Sequence, residues 1–150
     1  VKQASEFAGT VPVRHLLPYW KTSNRYLFSG GSVNMRDAAV YAKEENWSKA
    51  VELWKQTYET KKGKQKMYAA YNTALGYEMQ DSIDTALEWA LKAQTLAREK
   101  SKTDKKETGE IHDGTISYYI FISMYVDELE KRKEGMARLN MQMNRFDDDF

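Results

Sequence analysis

A shift of 36 residues brings two stretches of the chain into register, and this repetition restricts the possible folds more than any other feature. Small and large apolar residues recur in the same order: Ala38, Tyr41, Trp47 and Ala50 become Ala74, Tyr77, Ile83 and Ala86. A period in the thirties that covers two helices and a turn is typical of solenoid repeats. The alanines allow the helices of each unit to approach, and the larger side chains fill the seam beside them.

Each copy has the pattern of a helical hairpin, because apolar residues recur three and four positions apart. The first hairpin is predicted over 33–60 and the second over 65–99, and a Lys-rich connection separates them. Short polar turns at 44–46 and 80–82 make the two helices of each hairpin antiparallel neighbours. The sequence therefore predicts an all-α fold built on two divergent repeats.

The last part of the chain carries no third copy of the alanine pattern. After a predicted polar loop over 100–113, we expect a long capping helix over 114–143 that covers the second hairpin. Its first part, 116–126, is apolar almost all round and is expected to be buried on several sides, whereas the later apolar residues form one stripe. Gly135 is a candidate break, because basic residues precede it as in a helix that ends at a glycine. Residues 146–150 are expected to fray.

Both prolines of the chain, Pro12 and Pro18, lie near its beginning. We therefore expect residues 1–32 to form an irregular segment packed on a helical domain that covers 33–150. Since the chain begins with Val1 and residues 1–13 show no signal-peptide pattern, we interpret it as a piece of a longer protein.

Composition excludes several classes of protein and of site. The chain has 150 residues and a net charge of +1, with 41% hydrophobic residues, which suits one ordered domain. The absence of cysteine excludes disulfides, thiolate metal sites and a cysteine nucleophile. The longest apolar-rich stretch, over 116–126, is much shorter than the roughly 20 residues that cross a bilayer.

Residues for catalysis are scarce. His15 and His112 are the two histidines, and no zinc-protease, dinucleotide, phosphate-loop or serine-elbow motif occurs. Glu110, His112 and Asp113 make only a weak metal pattern, and the acidic run 147–149 lacks the spacing of a calcium loop. We predict that the chain is not an enzyme and holds no metal or cofactor.

Several positions resemble tetratricopeptide repeats. They are Ala38, Tyr41, Trp47, Ala50 and Trp54 in the first copy, and Tyr71, Asn72, Ala74, Tyr77, Gln80, Ala86, Ala93 and Leu96 in the second. Glu45 and Asp81 stand where that repeat commonly has glycine, and no closing proline is present.

A narrower resemblance covers most of the chain. Pro18-Tyr19-Trp20 with Arg25-Tyr26, then Trp47-x-x-Ala50-x-x-x-Trp54, Ala70-Tyr71-Asn72-x-Ala74 with Glu78, and Ala86-Leu87-Glu88-Trp89-Ala90 are similar to a family of tetratricopeptide-containing envelope lipoproteins from gut-type bacteria, whose function is unknown. This resemblance implies the C-terminal helical half of an exported protein, tethered in the periplasm or at the cell surface, without catalytic residues.

Tetratricopeptide proteins bind peptides in a groove lined by the first helix of each hairpin. The resemblance implies that the groove residues here are Met35, Arg36, Ala39, Lys43, Tyr68, Tyr71, Asn72, Leu75 and Met79. Tyrosine and methionine suit an adaptable binding surface. The alternative is that the capping helix, or the N-terminal segment around 15–20, already fills this groove. The clamp that grips peptide carboxylates in some members of that family is not matched, since Met35 and Ala39 occupy two of its positions.

Two polar residues stand out on the second hairpin. Asn72 lies among apolar neighbours, and we expect its amide to bind a nearby backbone carbonyl in preference to a ligand, because a buried amide needs partners. Glu78 is expected to pair with Arg36 or Lys43 across the groove.

Lysines follow both predicted hairpins and offer a second kind of site. The candidate anion-binding residues are Lys61, Lys62, Lys64, Lys66, Lys102, Lys105 and Lys106. Such a patch attracts phosphate, nucleic acid or anionic glycans. Acidic residues interrupt the second group, so a solvated loop is the simpler interpretation and nucleic acid is a disfavoured partner. The leading hypothesis is a noncatalytic interaction or scaffold module with a protein or peptide partner; the alternatives are anionic-polymer binding and purely structural support.

Overall fold

The computed structural model describes residues 7–15, 21–108 and 113–148, with side chains over 25–102 and 118–147. The elements are strands β1 (Phe7–His15) and β2 (Lys21–Phe28) and helices α1 (Val33–Lys43), α2 (Trp47–Thr60), α3 (Lys64–Met79), α4 (Ile83–Thr108) and α5 (Asp113–Asp148). The predicted all-α class is confirmed for the body formed by the five helices. The division of the chain at residue 32 stays a prediction.

Helix α3 forms the centre of the fold. Consecutive helices pack on each other, so α3 lies against both α2 and α4, and β2 also contacts it. Eleven of its sixteen residues are buried. A helix that is buried on nearly all sides needs no polar face, which explains the almost uninterrupted run of small and apolar residues from Met67 to Gly76.

The two hairpin turns have the same backbone geometry. Glu45 and Asp81 both have φ of 60°. In the first turn the Asn46 N–H donates to the Tyr41 carbonyl (2.8 Å) and the Glu45 N–H to that of Ala42 (3.0 Å); 36 residues later Ser82 donates to Tyr77 (2.9 Å) and Asp81 to Glu78 (3.0 Å). This pair of bonds, with a left-handed residue after the helix, is the Schellman motif. The 36-residue offset is therefore a repetition of backbone hydrogen bonds as well as of residue types.

The alanines of the 36-residue pattern are fully buried, as their predicted role in helix packing requires. Ala38, Ala50, Ala74 and Ala86 each have 0% exposure.

The expected irregular structure is wrong for 7–15 and 21–28, which pair as an antiparallel β-hairpin in which Pro12 lies opposite Asn24. The Tyr26 carbonyl and the Phe28 N–H and carbonyl bind side chains of α3, so these groups point away from β1. Along an antiparallel pair, the backbone hydrogen-bonding groups of successive residues point alternately towards the partner strand and away from it. Asn24, two residues from Tyr26, therefore points away from β1, and Pro12, which lies opposite Asn24, points away from β2. A proline there costs no hydrogen bond within the pair and leaves a poor edge for another strand.

Two predicted boundaries differ from the structure. Helix α4 continues to Thr108 through the region predicted as a loop, and α5 continues through Gly135 and the predicted fray point to Asp148. The residues around Gly135, such as Lys133, Glu134, Met136 and Ala137, have high helix propensity and offset the cost of one glycine, about 1 kcal/mol.

The apolar first part of α5 is less buried than expected. Ile122 is fully buried, but Ile120 and Met124 are 52% and 63% exposed. This part of α5 therefore covers the body with one face and leaves apolar side chains on the other. Of the helices in the described part of the chain, none is both long and apolar enough to cross a membrane.

Candidate functional site

The inner face of α3, where the peptide groove is predicted, is filled by the chain itself. Tyr68, Tyr71 and Leu75 are only 3%, 1% and 0% exposed. Phe28 of β2 stacks on the Tyr68 ring at 4.2 Å, and the Tyr68 hydroxyl donates to that of Tyr118 on α5 at 2.9 Å. An open peptide groove is therefore wrong for this face, because α5, which contains the predicted capping helix, and β2 occupy the space that a peptide would need.

The other groove candidates do not form a shared open surface. Met35 and Asn72 are buried, Ala39 and Met79 are half-buried, and Arg36 and Lys43 are exposed. The exposed groove candidates are thus charged residues of α1, whereas the aromatic and apolar candidates Tyr68, Tyr71 and Leu75 of α3 lie in the core.

Asn72 holds the end of β2. Its Nδ2 donates to the Phe28 carbonyl at 2.6 Å, and its Oδ1 accepts from the Phe28 N–H at 3.1 Å. The amide thus binds the strand as a neighbouring strand would. Nearby, the Tyr71 hydroxyl donates to the Tyr26 carbonyl at 2.7 Å. The prediction that Asn72 binds backbone of its own chain is confirmed.

Glu78 is the centre of a buried ionic cluster. Its carboxylate is 0% exposed and accepts from Arg25 Nε at 3.1 Å and from Arg25 Nη2 at 3.2 Å. Arg132 Nη1 donates to it at 3.1 Å, and the Tyr125 hydroxyl donates at 3.0 Å. The expected partners Arg36 and Lys43 are therefore wrong. The bidentate pairing of Arg25 is among the strongest hydrogen-bonding arrangements for a carboxylate.

A second carboxylate balances the cluster. Arg132 Nη2 also binds Asp81 at 3.2 Å, and the Asp81 side chain is 78% exposed. Two arginines and two carboxylates thus form a neutral set that extends from the core to the surface. Burial alone would lower the pKa of Arg25, but the hydrogen bond and charge of Glu78 raise it above its usual value.

Burial also controls the two tyrosines of this region. Desolvation raises the pKa of Tyr71 and that of Tyr125 well above the ordinary value, and the negative charge of Glu78 acts in the same direction. Both hydroxyls donate to fixed acceptors, so they serve as neutral hydrogen-bond donors. Such an arrangement fixes β2 and α5 to α3.

Little in the sequence indicates this cluster. Glu78 on an apolar helix requires a cation, yet its partners Arg25 and Arg132 lie 53 and 54 residues away, and nothing local selects them. A buried carboxylate needs a cationic partner. This requirement alone could have suggested that an arginine pairs with Glu78.

A pocket of about 200 Å³ lies beside the cluster, between β2 and α5. Its lining consists of Arg25, Tyr26, Tyr71, Phe121, Met124, Tyr125 and Glu128. The Tyr26 and Phe121 rings meet edge to face at 5.8 Å. Pockets for cofactors and drug-sized ligands are usually about 300 to 1,000 Å³, so this pocket is small for either.

The two lysine groups do not occupy corresponding loops. Lys61 and Lys62 are exposed after α2, but Lys64 and Lys66 belong to α3, where their ammonium groups lie 5.7 Å from the Tyr118 ring and 4.7 Å from the Tyr58 ring. The second group lies on α4, because this helix continues to Thr108. Lys102 is exposed; the side chains of Lys105 and Lys106 lie outside the described residues.

The metal candidates remain untested. Glu110 and His112 fall outside the described residues, and of Asp113 only the backbone is described. Within the described part of the chain no group of three or more histidine, aspartate or glutamate side chains is placed to hold a metal ion.

Comparison with known proteins gives a family but no function. Neither the curated proteins nor the solved structures include a match to this chain. The family described as Domain of unknown function (DUF6340) matches residues 36–131, a span that begins in α1 and ends in α5. The match covers more than half of the chain, which therefore belongs to the DUF6340 family.

Proposed function

We propose that the chain is a noncatalytic scaffold module whose helical body holds the β1/β2 hairpin in a fixed position. The observation that carries this proposal is the attachment of β2 to α3 through its backbone. Asn72 binds both the N–H and the carbonyl of Phe28, and Tyr71 binds the carbonyl of Tyr26. Contacts to backbone fix the path of a strand and not merely one side chain.

The aromatic contacts support the same role. Phe28 lies within 6.1 Å of the ring centroids of four residues, which are Tyr68, Tyr71, Tyr118 and Phe121. Two of these rings belong to α3 and two to α5, so one residue of β2 joins both helices. A two-stranded hairpin is at best marginally stable by itself, so these contacts supply the stability it lacks.

Asn72→Ala tests the scaffold role. We expect amide exchange in 21–28 to accelerate on the order of tenfold or more, because the buried Phe28 groups lose partners worth about 1 to 3 kcal/mol. Exchange is measured by mass spectrometry after proteolysis, with peptides of α2 and α4 as internal references. Local release of the hairpin accelerates exchange in β2 more than in those helices.

Asn34→Ala is the matched control, because the Asn34 side chain bonds Gln56 at 3.3 Å in an exposed position. It should leave exchange in β2 unchanged. The scaffold role is contradicted if Asn72→Ala and Asn34→Ala give the same exchange in 21–28, or if Asn72→Ala accelerates all elements equally.

The proposal also covers the type of helical repeat and the location of the protein in the cell. We infer that the helical body is tetratricopeptide-like, which the repeated turns at Glu45 and Asp81 support. Placement in an exported, membrane-tethered envelope protein follows from sequence resemblance alone, and locating the full-length protein by cell fractionation tests it.

A further inference from the structure

Three lysines alternate with three aromatic rings across α2, α3 and α4. In spatial order this lysine ladder consists of Lys66, Tyr58, Lys92, Trp89, Lys55 and Tyr77. The Lys66 ammonium lies 4.7 Å from the centre of the Tyr58 ring. Lys92 lies 5.9 Å from Tyr58 and 4.0 Å from Trp89. Lys55 lies 5.8 Å from Trp89 and 5.0 Å from Tyr77.

The rings organise these lysines into one cluster. The Tyr58 ring of α2 and the Trp89 ring of α4 meet edge to face at 5.0 Å, which brings the lysines of three helices to one surface. Each ammonium within about 6 Å of a ring gains a modest attraction to the ring face. The rings therefore hold the lysine side chains in place without neutralising their charge.

Carboxylates in the described part of the chain form no ion pair with the ladder lysines. The ion pairs found within the described part of the chain involve neither Lys55, Lys66 nor Lys92. Glu59 and Glu88 lie four residues from Lys55 and Lys92 on the same helices, a spacing that permits ion pairs. The ladder thus concentrates three positive charges on a chain whose net charge is only +1.

We propose that the lysine ladder binds an acidic peptide segment of a partner protein, with side-chain carboxylates placed between the ammonium groups. The charges are complementary, and the lysines are already ordered by the rings, which reduces the entropy lost on binding. This site is separate from the anchored hairpin, so its role does not depend on the scaffold function.

The chemistry of the ladder favours a peptide over nucleic acid. Single-stranded nucleic acid binds to aromatic side chains by stacking bases on the ring faces. Here ammonium groups lie over those faces. The ladder also contains no arginine, whose planar fork binds phosphate with two hydrogen bonds. Lysine ammonium groups act as point charges, for which flexible aspartate and glutamate side chains are suitable partners.

The test measures binding of a fluorescein-labelled peptide with six Asp-Gly units by fluorescence anisotropy. Replacing Lys55, Lys66 and Lys92 together by methionine keeps apolar stems over the rings and removes three charges. We expect the affinity to fall on the order of tenfold or more, since each exposed charge pair contributes a factor of a few. Raising the salt concentration should weaken binding to the unaltered chain. A peptide of Asn-Gly units should not bind.

A triple variant at Lys43, Lys102 and Lys131, also to methionine, removes the same charge from exposed positions elsewhere and should keep nearly full affinity. Replacing the ladder lysines by arginine should retain binding within about threefold, and Lys92→Met alone provides a milder change that preserves folding. Equal losses in both methionine triples would overturn the proposal. So would tighter binding of a twelve-residue oligothymidylate through the same lysines.

Discussion

At the scale of single residues, the buried Glu78 carboxylate joins two arginines from distant parts of the chain. Glu78→Gln keeps the shape of the side chain but leaves Arg25 and Arg132 as buried cations without their shared anion. Removing one partner of a buried ion pair typically costs about 3 to 5 kcal/mol. We expect a loss of that order in the free energy of unfolding, measured by urea denaturation at neutral pH.

Glu134→Gln provides the comparison, because Glu134 pairs with Arg138 at 3.8 Å and both side chains are more than 70% exposed. Exposed pairs of this kind contribute about 0 to 1 kcal/mol. A similar small loss in both variants would mean that Glu78 is not the required counter-charge. The sequence marked Glu78 as unusual but assigned it exposed partners, since the buried arginines come from distant parts of the chain.

At the scale of elements, the repeated turns contain a residue type that their backbone disfavours. Glu45 has φ of 60°, a conformation that costs a residue with a side chain about 1 to 2 kcal/mol relative to glycine. Glu45→Gly relieves that cost but loses more chain entropy on folding. We therefore expect a net gain of about 0.5 to 1 kcal/mol in the free energy of unfolding, measured by thermal and urea denaturation.

The neighbouring Glu44 makes a close control, because it has φ of −84° and already adopts an ordinary conformation. Glu44→Gly should lower stability, whereas Glu45→Gly should raise it. If both glycines destabilise the chain, the left-handed conformation of Glu45 carries no cost and the turn has been misinterpreted.

The elements also show which parts of the fold the sequence could predict. The helices of the hairpins were predictable because α1, α2 and α4 bury one face and keep the helical spacing of apolar residues. The β-hairpin was not, since Pro12 disfavours a strand until the contacts of Tyr26 and Phe28 show which edge is outward. The extent of α4 was not predicted because the polar, lysine-rich stretch from 100 to 108 resembles a loop, although lysine is a good helix former.

At the scale of the whole molecule, one aromatic cluster joins the hairpin, the central helix and the last helix. Tyr71 lies 5.3 Å from Phe121 and 5.0 Å from Tyr125, measured between ring centres, and the Arg25 guanidinium lies 5.5 Å from the Tyr125 ring. Tyr68 and Tyr71, which were predicted to line a binding groove, belong to the aromatic cluster that fills it. Residue type alone does not distinguish a groove that binds a partner from one that binds its own chain.

The burial of Tyr71 and Tyr125 in this cluster predicts how the free energy of unfolding depends on pH. An unfolded tyrosine ionises near pH 10, whereas burial raises the pKa of Tyr71 and Tyr125 in the folded chain. Above about pH 10 the unfolded state therefore binds fewer protons than the folded state, so stability falls as pH rises. Each tyrosine contributes a slope of up to about 1.4 kcal/mol per pH unit. Urea unfolding between pH 9 and 11.5 measures the combined slope.

Tyr125→Phe should lower stability at pH 8, since the hydroxyl no longer donates to Glu78. It should also remove about half of the alkaline slope that Tyr71 and Tyr125 contribute together. Tyr119→Phe serves as the control. The hydrogen bond from Arg98 lowers the pKa of Tyr119 in the folded chain, so removing the Tyr119 hydroxyl cannot reduce the fall of stability with rising pH. The slope tests burial separately from the lost hydrogen bond, which acts at all pH values. An unchanged slope in Tyr125→Phe would place that hydroxyl in contact with water and contradict the closed inner face of α3.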